Sequence, residues 1–297
     1  MVRETQQHVA VLTTVYPQVG EYLDMFLATL EKQTLRNFDL VIVNDGIDSL
    51  DALCEQRDNL ACRLVDGRAT PASNREAGIR YCLNAGYEYV IFADADDYFD
   101  PTRVAVSIAK MRSMVADCVV NDVHLVTESA QPVVESYFSR RLTNNQFVRI
   151  DDIMHGNIFG LSNTAVRTTC LSGVQIDADL VAVDWYLFTV LLLRGCRAVF
   201  TNEANTFYRQ HSSNTVGLGA VTIESVKRAV SVKSGHYSVL AARYSEFTEL
   251  SRYYTRLAAQ LTDEGYMRKY FSKCLEHLPE YPFWWEEAGY LECADEY

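Results

Sequence analysis

The chain of 297 residues is short of proline, with six positions in all, and of basic side chains, with 27 against 39 acidic ones. Its formal net charge is -12 and its pI is near 5.0. The shortage of Lys and Arg excludes an obvious nucleic-acid binder, because such proteins hold phosphate through clustered cations that displace counterions. An acidic surface repels phosphate unless a local patch or a metal intervenes, which makes a bound cation the natural bridge to any anionic ligand. Hydrophobic residues make up 48% and charged residues 22%. That composition excludes extensive disorder and describes a compact globular protein.

Other absences narrow the class further. The eight cysteines form no C-x-x-C pair and neighbour no His cluster, so they indicate no zinc site and read as dispersed, reduced hydrophobes. There is no Asn-x-Ser/Thr acceptor, and the opening MVRETQQHVAVLTT lacks the apolar stretch of a signal peptide. The longest uncharged apolar run, Trp185 to Leu193, is far below the roughly 20 residues that cross a bilayer. The expectation is a cytoplasmic chain without a transmembrane segment, able to lie peripherally at a membrane only through apolar or protein-mediated contacts.

What is present is an alternation of short apolar runs with amphipathic stretches, the signal for β-α units around a mostly parallel sheet. Strands are expected at 8–14, 38–45, 61–66 and 89–94, with helices at 22–30, 49–57 and 72–85 between them. Further strands are expected at 117–126, 132–138 and 198–210, and helices from Asp184 to Arg194 and over 222–278. Residues 139–157 show little periodicity. Ligands of open α/β sheets gather at the carboxyl ends of the strands, and the informative residues fall there: Thr13 to Pro17, Asn44-Asp45-Gly46, and Asp94-Ala95-Asp96-Asp97.

The last of these places three carboxylates within four residues. Such a cluster suits a hard divalent cation shared with substrate phosphates. It also suits the solvated N-terminus of a helix starting near Pro101, where carboxylates favour the dipole. An EF-hand is excluded because its sixth position would be Phe99. A phosphatase of the haloacid-dehalogenase type fits poorly, since three β-α units precede the motif.

Six ordered blocks, VAVLTTVYP, VIVNDG, PASNREAGI, FADADDYFDP, VDWYLFTVLLLRGCRAVF and YRQHSSNTVG, resemble those of family 2 glycosyltransferases with the GT-A fold. The resemblance covers roughly residues 8 to 215. It implies a Rossmann-like, mostly parallel sheet flanked by helices over residues 1–217, leaving a helical C-terminal extension over 218–297. It further implies an inverting, metal-dependent transfer of a sugar from a nucleoside diphosphate donor, with a lean to UDP, to an acceptor hydroxyl in polysaccharide or other glycoconjugate synthesis. Mn²⁺ or Mg²⁺ would be the cofactor, and a glycan or lipid-linked glycan the acceptor. Two departures stand out: Glu76 occupies the usual Asn of the third block, and Val183 replaces the Glu that precedes the catalytic Asp.

Each block has a plainer reading beside the one the resemblance implies. Asp184 is the expected general base, or else an N-cap. Asp45 is the expected nucleobase contact, or else an Asx-turn. Thr13 and Tyr16 are expected at the donor, or in loop packing. Arg75 and Arg209 are expected at the diphosphate, and Asp94 near the ribose. Asp96 and His211 are expected at the metal with Asp97 behind them, although a lone His is more often structural. The competing classes are a metal-dependent phosphatase or nucleotidyltransferase, and a noncatalytic nucleotide-sugar-binding scaffold. The last nineteen residues hold six acids, no Lys or Arg, and the cluster Tyr281-Pro282-Phe283-Trp284-Trp285. Core packing comes first for these aromatics, with an acceptor site or a partner contact as the alternatives, and the C-terminal helices could support a homo-oligomer.

Overall fold

The structure, a computed structural model, describes residues 8–57, 59–68, 70–210 and 220–289. Four strands, β1 (Val9–Val15), β2 (Asp39–Asn44), β3 (Ala61–Asp66) and β4 (Tyr89–Phe92), run parallel in the order β3-β2-β1-β4. Their carboxyl ends therefore share one edge. The helices α1 (Leu23–Glu31), α2 (Leu50–Glu55) and α3 (Pro71–Asn84) lie in the connections.

The two-residue period of a strand divides the apolar residues between two faces. On one face Val9, Val11 and Val15 join Leu40, Ile42, Tyr89 and Ile91; on the other Ala10 and Leu12 join Val41, Val43, Val90 and Phe92. A sheet buried on both faces needs helices on both. The first face is covered by Phe26, Leu27 and Leu30 of α1 and by Val104 and Ile108 of α4 (Arg103–Ser113). Ala72, Ile79 and Cys82 of α3 cover the second. Gly78 permits that contact, since a Cβ there would lie 2.7 Å from Leu12 and 2.9 Å from Val43.

Beyond β4 the sheet becomes mixed. β5 (Tyr98–Phe99) precedes α4, and β6 (Cys118–Thr127) follows it. Next come β7 (Pro132–Val134), β8 (Phe147–Val148), α5 (Ile150–Ile153), β9 (Thr164–Arg167), α6 (Val183–Leu193) and β10 (Ala198–Gln210). The order continues β4-β9-β6-β10-β5, with β9 antiparallel to both neighbours and β10 parallel to β6. The stretch 139–157 is thus less irregular than its sequence suggests. Two-residue β8 exists because it pairs with Ala198 and Val199 of β10, a tertiary contact that leaves no periodic trace. α6 is buried at Val183 and continuously from Trp185 to Leu191, as expected of a helix apolar all round.

The chain ends in α7 (Ile223–Ala241), α8 (Thr248–Gln260) and α9 (Glu264–His277), followed by a strap over residues 279–289. Val230, Tyr237, Leu240, Tyr254, Leu257 and Tyr270 belong to the same hydrophobic cluster as Trp185 and Phe92, so these helices share their core with the sheet. The expected boundary at 217/218 falls in residues 211–219, outside the described residues. No helix among the described residues is long and apolar enough to cross a membrane.

Gly67, just past β3, donates its N–H to Asn44 O at 2.8 Å, and a Cβ there would run into the backbone of Asn44 and Asp45. Gly67→Ala is expected to cost about 1–3 kcal/mol, as overpacking against unyielding backbone does. Urea unfolding measures it, and an unchanged midpoint would show that the Asn44-Asp45 turn yields freely.

Candidate active site

The acidic loop is held between two strands. β4 ends at Phe92, and Tyr98 and Phe99 of β5 pair antiparallel with Phe207 and Thr206 of β10. Asp100 Oδ2 closes the same junction by accepting from both the backbone and side-chain nitrogens of Asn205, at 2.8 and 3.0 Å. Asp97 is buried, and its Oδ1 accepts the Arg209 backbone N–H at 2.8 Å. Burial pushes the Asp97 carboxyl well above the usual range, and the charges of Asp96 and Asp94 add to the shift.

Asp94 and Asp96 instead line a cavity of about 250 Å³ with Thr14, Tyr16 and Arg75. Arg75, on the first turns of α3, pairs with Asp94 Oδ1 at 2.7 Å. Burial raises the Asp94 carboxyl and the guanidinium draws it back. The Tyr16 phenol is pushed up to about 12 by burial and by the two carboxylates it faces, Asp96 and Asp94.

Asp184 lines the same cavity from the first turn of α6. It is not the N-cap, which is Ala182. Its Oδ1 accepts the Trp185 N–H at 2.8 Å and its Oδ2 accepts Asn157 Nδ2 at 3.0 Å. Asn157 is itself fixed by bonds to both backbone atoms of Phe159, at 2.7 and 3.0 Å. Burial raises Asp184 to about 6, against the pull of the Trp185 N–H. A carboxylate that is oriented by two donors and poised near neutrality has the properties of a general base.

Of the residues expected at the site, the structure brings Tyr16, Arg75, Asp94, Asp96 and Asp184 together on one cavity. Thr13 is fully buried, its hydroxyl without a partner among the described residues, and by strand alternation Thr14 faces the cavity. Asp45 stands off the cavity wall, its Oδ2 accepting Asn74 Nδ2 at 2.8 Å; the turn is closed by the Asn44 side chain, which bonds both N and O of Ile47 at 2.9 Å. Arg209 is not on the wall of this cavity. It is 3% exposed, and its guanidinium lies under the acidic loop, donating to Asp96 O at 2.8 Å and to Glu128 O, over the rings of Tyr22 and Tyr98. His211 lies outside the described residues.

Four participants escaped the sequence reading or stood second in it. Asn157 sits in the stretch without periodicity, and Asn74 inside a helix, so neither carried a signal beyond its residue type. Trp284 and Trp285 line the same cavity as the acidic loop, where the aromatic cluster offered core packing first.

The donor set fits a divalent cation. Among the described residues the cavity wall carries Asp94, Asp96 and Asp184 against one cation, Arg75, a surplus of carboxylate oxygens, which hard cations select. Among the described residues these carboxylates do not converge as a three-ligand set, whereas Asp117, Cys170 and Cys196 do. A cation at the acidic loop would therefore draw its remaining ligands from a substrate, as Mg²⁺ and Mn²⁺ do with phosphates.

Arg209→Met is expected to remove about 2–4 kcal/mol of stability from the ligand-free protein, because it leaves the carbonyls of Asp96 and Glu128 without the guanidinium that donates to them. Chemical denaturation without any nucleotide reads this out. An unchanged stability would return Arg209 to the role of a donor ligand.

The comparisons with known proteins agree with this geometry. A sequence model of the family described as Glycosyl transferase family 2 matches residues 10–165. Glycosyltransferase GlyA of Streptococcus pneumoniae is 23% identical over 216 residues, covering 68% of this chain and 30% of its own length. A UDP-Glc:alpha-D-GlcNAc-diphosphoundecaprenol beta-1,3-glucosyltransferase of Escherichia coli, WfaP, is 23% identical over 243 residues, 75% of this chain and 88% of its own. Among solved structures, S. aureus TarS in complex with UDP-GlcNAc superposes with a TM-score of 0.62 at 16% identity, over 84% of this chain and 72% of that one. A mannosyltransferase from Pyrobaculum calidifontis in complex with GDP-Man and Mn²⁺ gives 0.60 at 15% identity, over 91% and 76%. The chain has the GT-A fold of these neighbours, and it belongs to glycosyltransferase family 2.

Proposed function

We propose that the chain is an inverting, divalent-cation-dependent glycosyltransferase that moves a sugar from a nucleoside diphosphate, UDP by preference, to an acceptor hydroxyl in glycan synthesis. The observation that carries this reading is the position of Asp184 on the same small cavity as Asp94, Asp96 and Arg75. A donor diphosphate takes the acidic wall, with Arg75 as a fixed counter-charge and Asp45, oriented by Asn74, toward the base. When bound at Asp96, with His211 as a further ligand, Mn²⁺ or Mg²⁺ supplies positive charge to the departing diphosphate. Asp184 accepts the proton of the acceptor hydroxyl. Trp185 N–H and Asn157 hold its two oxygens, and each keeps a lone pair for that proton. Attack from the face opposite the diphosphate inverts the anomeric centre.

The relatives support the donor class: the name of WfaP specifies UDP-Glc, TarS is complexed with UDP-GlcNAc, and the Pyrobaculum enzyme binds GDP-Man with Mn²⁺. The same name specifies a diphosphoundecaprenol-linked acceptor, which makes a lipid-linked glycan one acceptor to try here.

UDP is expected to raise the melting temperature more than GDP, CDP or dTDP, and only with Mn²⁺ or Mg²⁺ present. Stabilisation by UDP that is indifferent to metal would remove the cation from the mechanism. Asp184→Asn is expected to keep that stabilisation while kcat falls about 10²–10⁴-fold; retained turnover would exclude Asp184 as the base. Since Asp184 must be deprotonated to act and its pKa is raised to about 6, kcat/KM is expected to fall as pH drops below that value and to be level just above it. An acid limb at the ordinary carboxylate pKa would contradict a buried base.

A further inference from the structure

The chemistry of the proposed transfer divides the cavity in two. With the donor diphosphate on the wall of Asp94, Asp96 and Arg75, an inverting attack brings the acceptor hydroxyl in from the opposite side, past Asp184. Phe283, Trp284 and Trp285 of the C-terminal strap, which the 10–165 family match does not reach, line the same cavity close to that base: Trp284 lies 6.0 Å from Trp185, and Trp285 rests on Gly156, next to the Asn157 that holds Asp184.

The strap is held in place rather than draped. Glu286 turns away from the cavity, accepting Tyr137 OH and the Phe283 N–H, each at 2.8 Å, and pairing with Arg141 at 2.5 Å. Farther along, Lys233 Nζ donates to Ala288 O at 2.9 Å and to His155 O at 3.2 Å, and Tyr270 OH donates to Gly289 O at 3.1 Å. Trp285 stacks on Phe283 at 4.5 Å and 8°, and is seated on Gly156, where a Cβ would lie 3.0 Å from the indole. Trp284 meets Trp285 edge-on at 5.8 Å and Trp185, the residue after the base, at 6.0 Å. The strap is therefore keyed to the helix that carries Asp184.

Two kinds of indole are distinguished here. Trp185 is 1% exposed and spends its Nε1–H on Ile153 O at 2.8 Å, as a core tryptophan does. Trp284 and Trp285 are half-buried on the cavity, and among the described residues neither N–H has a hydrogen-bond partner. Rigid aromatic faces with idle donors beside a carboxylate match a pyranose, whose C–H face packs on an indole while its hydroxyls take up N–H and carboxylate.

We propose that the Phe283–Trp285 strap is the acceptor subsite, and that the acceptor is a carbohydrate whose terminal pyranose ring packs on the Trp284–Trp285 pair with one hydroxyl at Asp184. This inference rests on the transferase reading for its orientation, and it is tested without donor so that the two can fail separately. The probes are methyl β-D-glucoside, methyl β-D-galactoside and methyl 2-acetamido-2-deoxy-β-D-glucoside, followed by saturation-transfer NMR on the full chain. Signals from the ring protons of at least one are expected, weakened about tenfold in affinity by Trp285→Ala, the scale of one lost aromatic contact. Trp285→Phe, which keeps an aromatic face, is expected to recover much of the binding and covers the case in which the alanine variant does not fold. Octyl glycosides of the same sugars separate the sources: tighter binding assigns a lipid-linked glycan and equal binding a free glycan end, and either upholds a sugar subsite. Binding that is indifferent to Trp285, or the absence of glycoside binding in a protein still stabilised by UDP and Mn²⁺, overturns the subsite alone. Glycoside binding lost in Trp285→Ala without any response to the four diphosphates upholds the subsite and overturns the donor reading.

Discussion

Three carboxylates at one strand end repel each other, and taking them out of water makes the repulsion worse. The centre of this protein is organised around that constraint. Each carboxylate is met differently: Asp94 by the Arg75 guanidinium, Asp97 by the backbone N–H of Arg209, and Asp96 by opening onto the cavity. Behind them Arg103 is buried, bonded to Asn121 and to Phe92 O and stacked over Phe99 at 4.3 Å. Burial lowers the Arg103 guanidinium to about 9, and the charges of Asp97 and Asp94 oppose that shift. The loop is thus neutralised from beneath and behind, while the side that opens onto the cavity keeps its negative charge.

That requirement explains the length and position of β10. Over its thirteen residues it pairs with β6 in the sheet interior, with β8 at its start and with β5 beyond the acidic loop, and its register against β6 shifts between Thr201 and Asn205. A strand confined to the sheet interior could not bring Arg209 under the loop. The electrostatics of the acidic wall and the topology of the mixed sheet are in this sense one problem.

The two walls of the cavity come from different parts of the chain. The acidic wall is built by β1, α3 and the β4 loop, all inside the segment that matches the family, whereas Asp184 and the aromatic strap follow it. Helices α7 to α9 have a structural reason to share the sheet's core: they position the strap, through Lys233, Tyr254 and Tyr270, against the helix that carries Asp184. Six of the acidic residues lie in the last nineteen positions, so the net charge of the chain says little about the cavity itself.

The strands and helices of the first half were legible because buried β-α units leave periodic runs, and the acidic loop was legible because carboxylates at that density are rare without a purpose. Asp184, Arg75 and Asp96 were found by their place in ordered motifs, and the cavity gathers them. Orientation was not legible. Thr13 and Thr14 are adjacent and chemically alike, and only the identity of the packed face decides which one meets the cavity. Arg209 reads as a ligand for phosphate until the fold places the loop carbonyls on top of it. Asn157, Asn74, Trp284 and Trp285 acquire their roles from residues 27 or more positions away, and contacts at that separation have no local pattern. The sequence by itself determined the layers and the carboxylate-rich character of the site; the tertiary structure decided which side chains face that site, because facing depends on packing between distant segments.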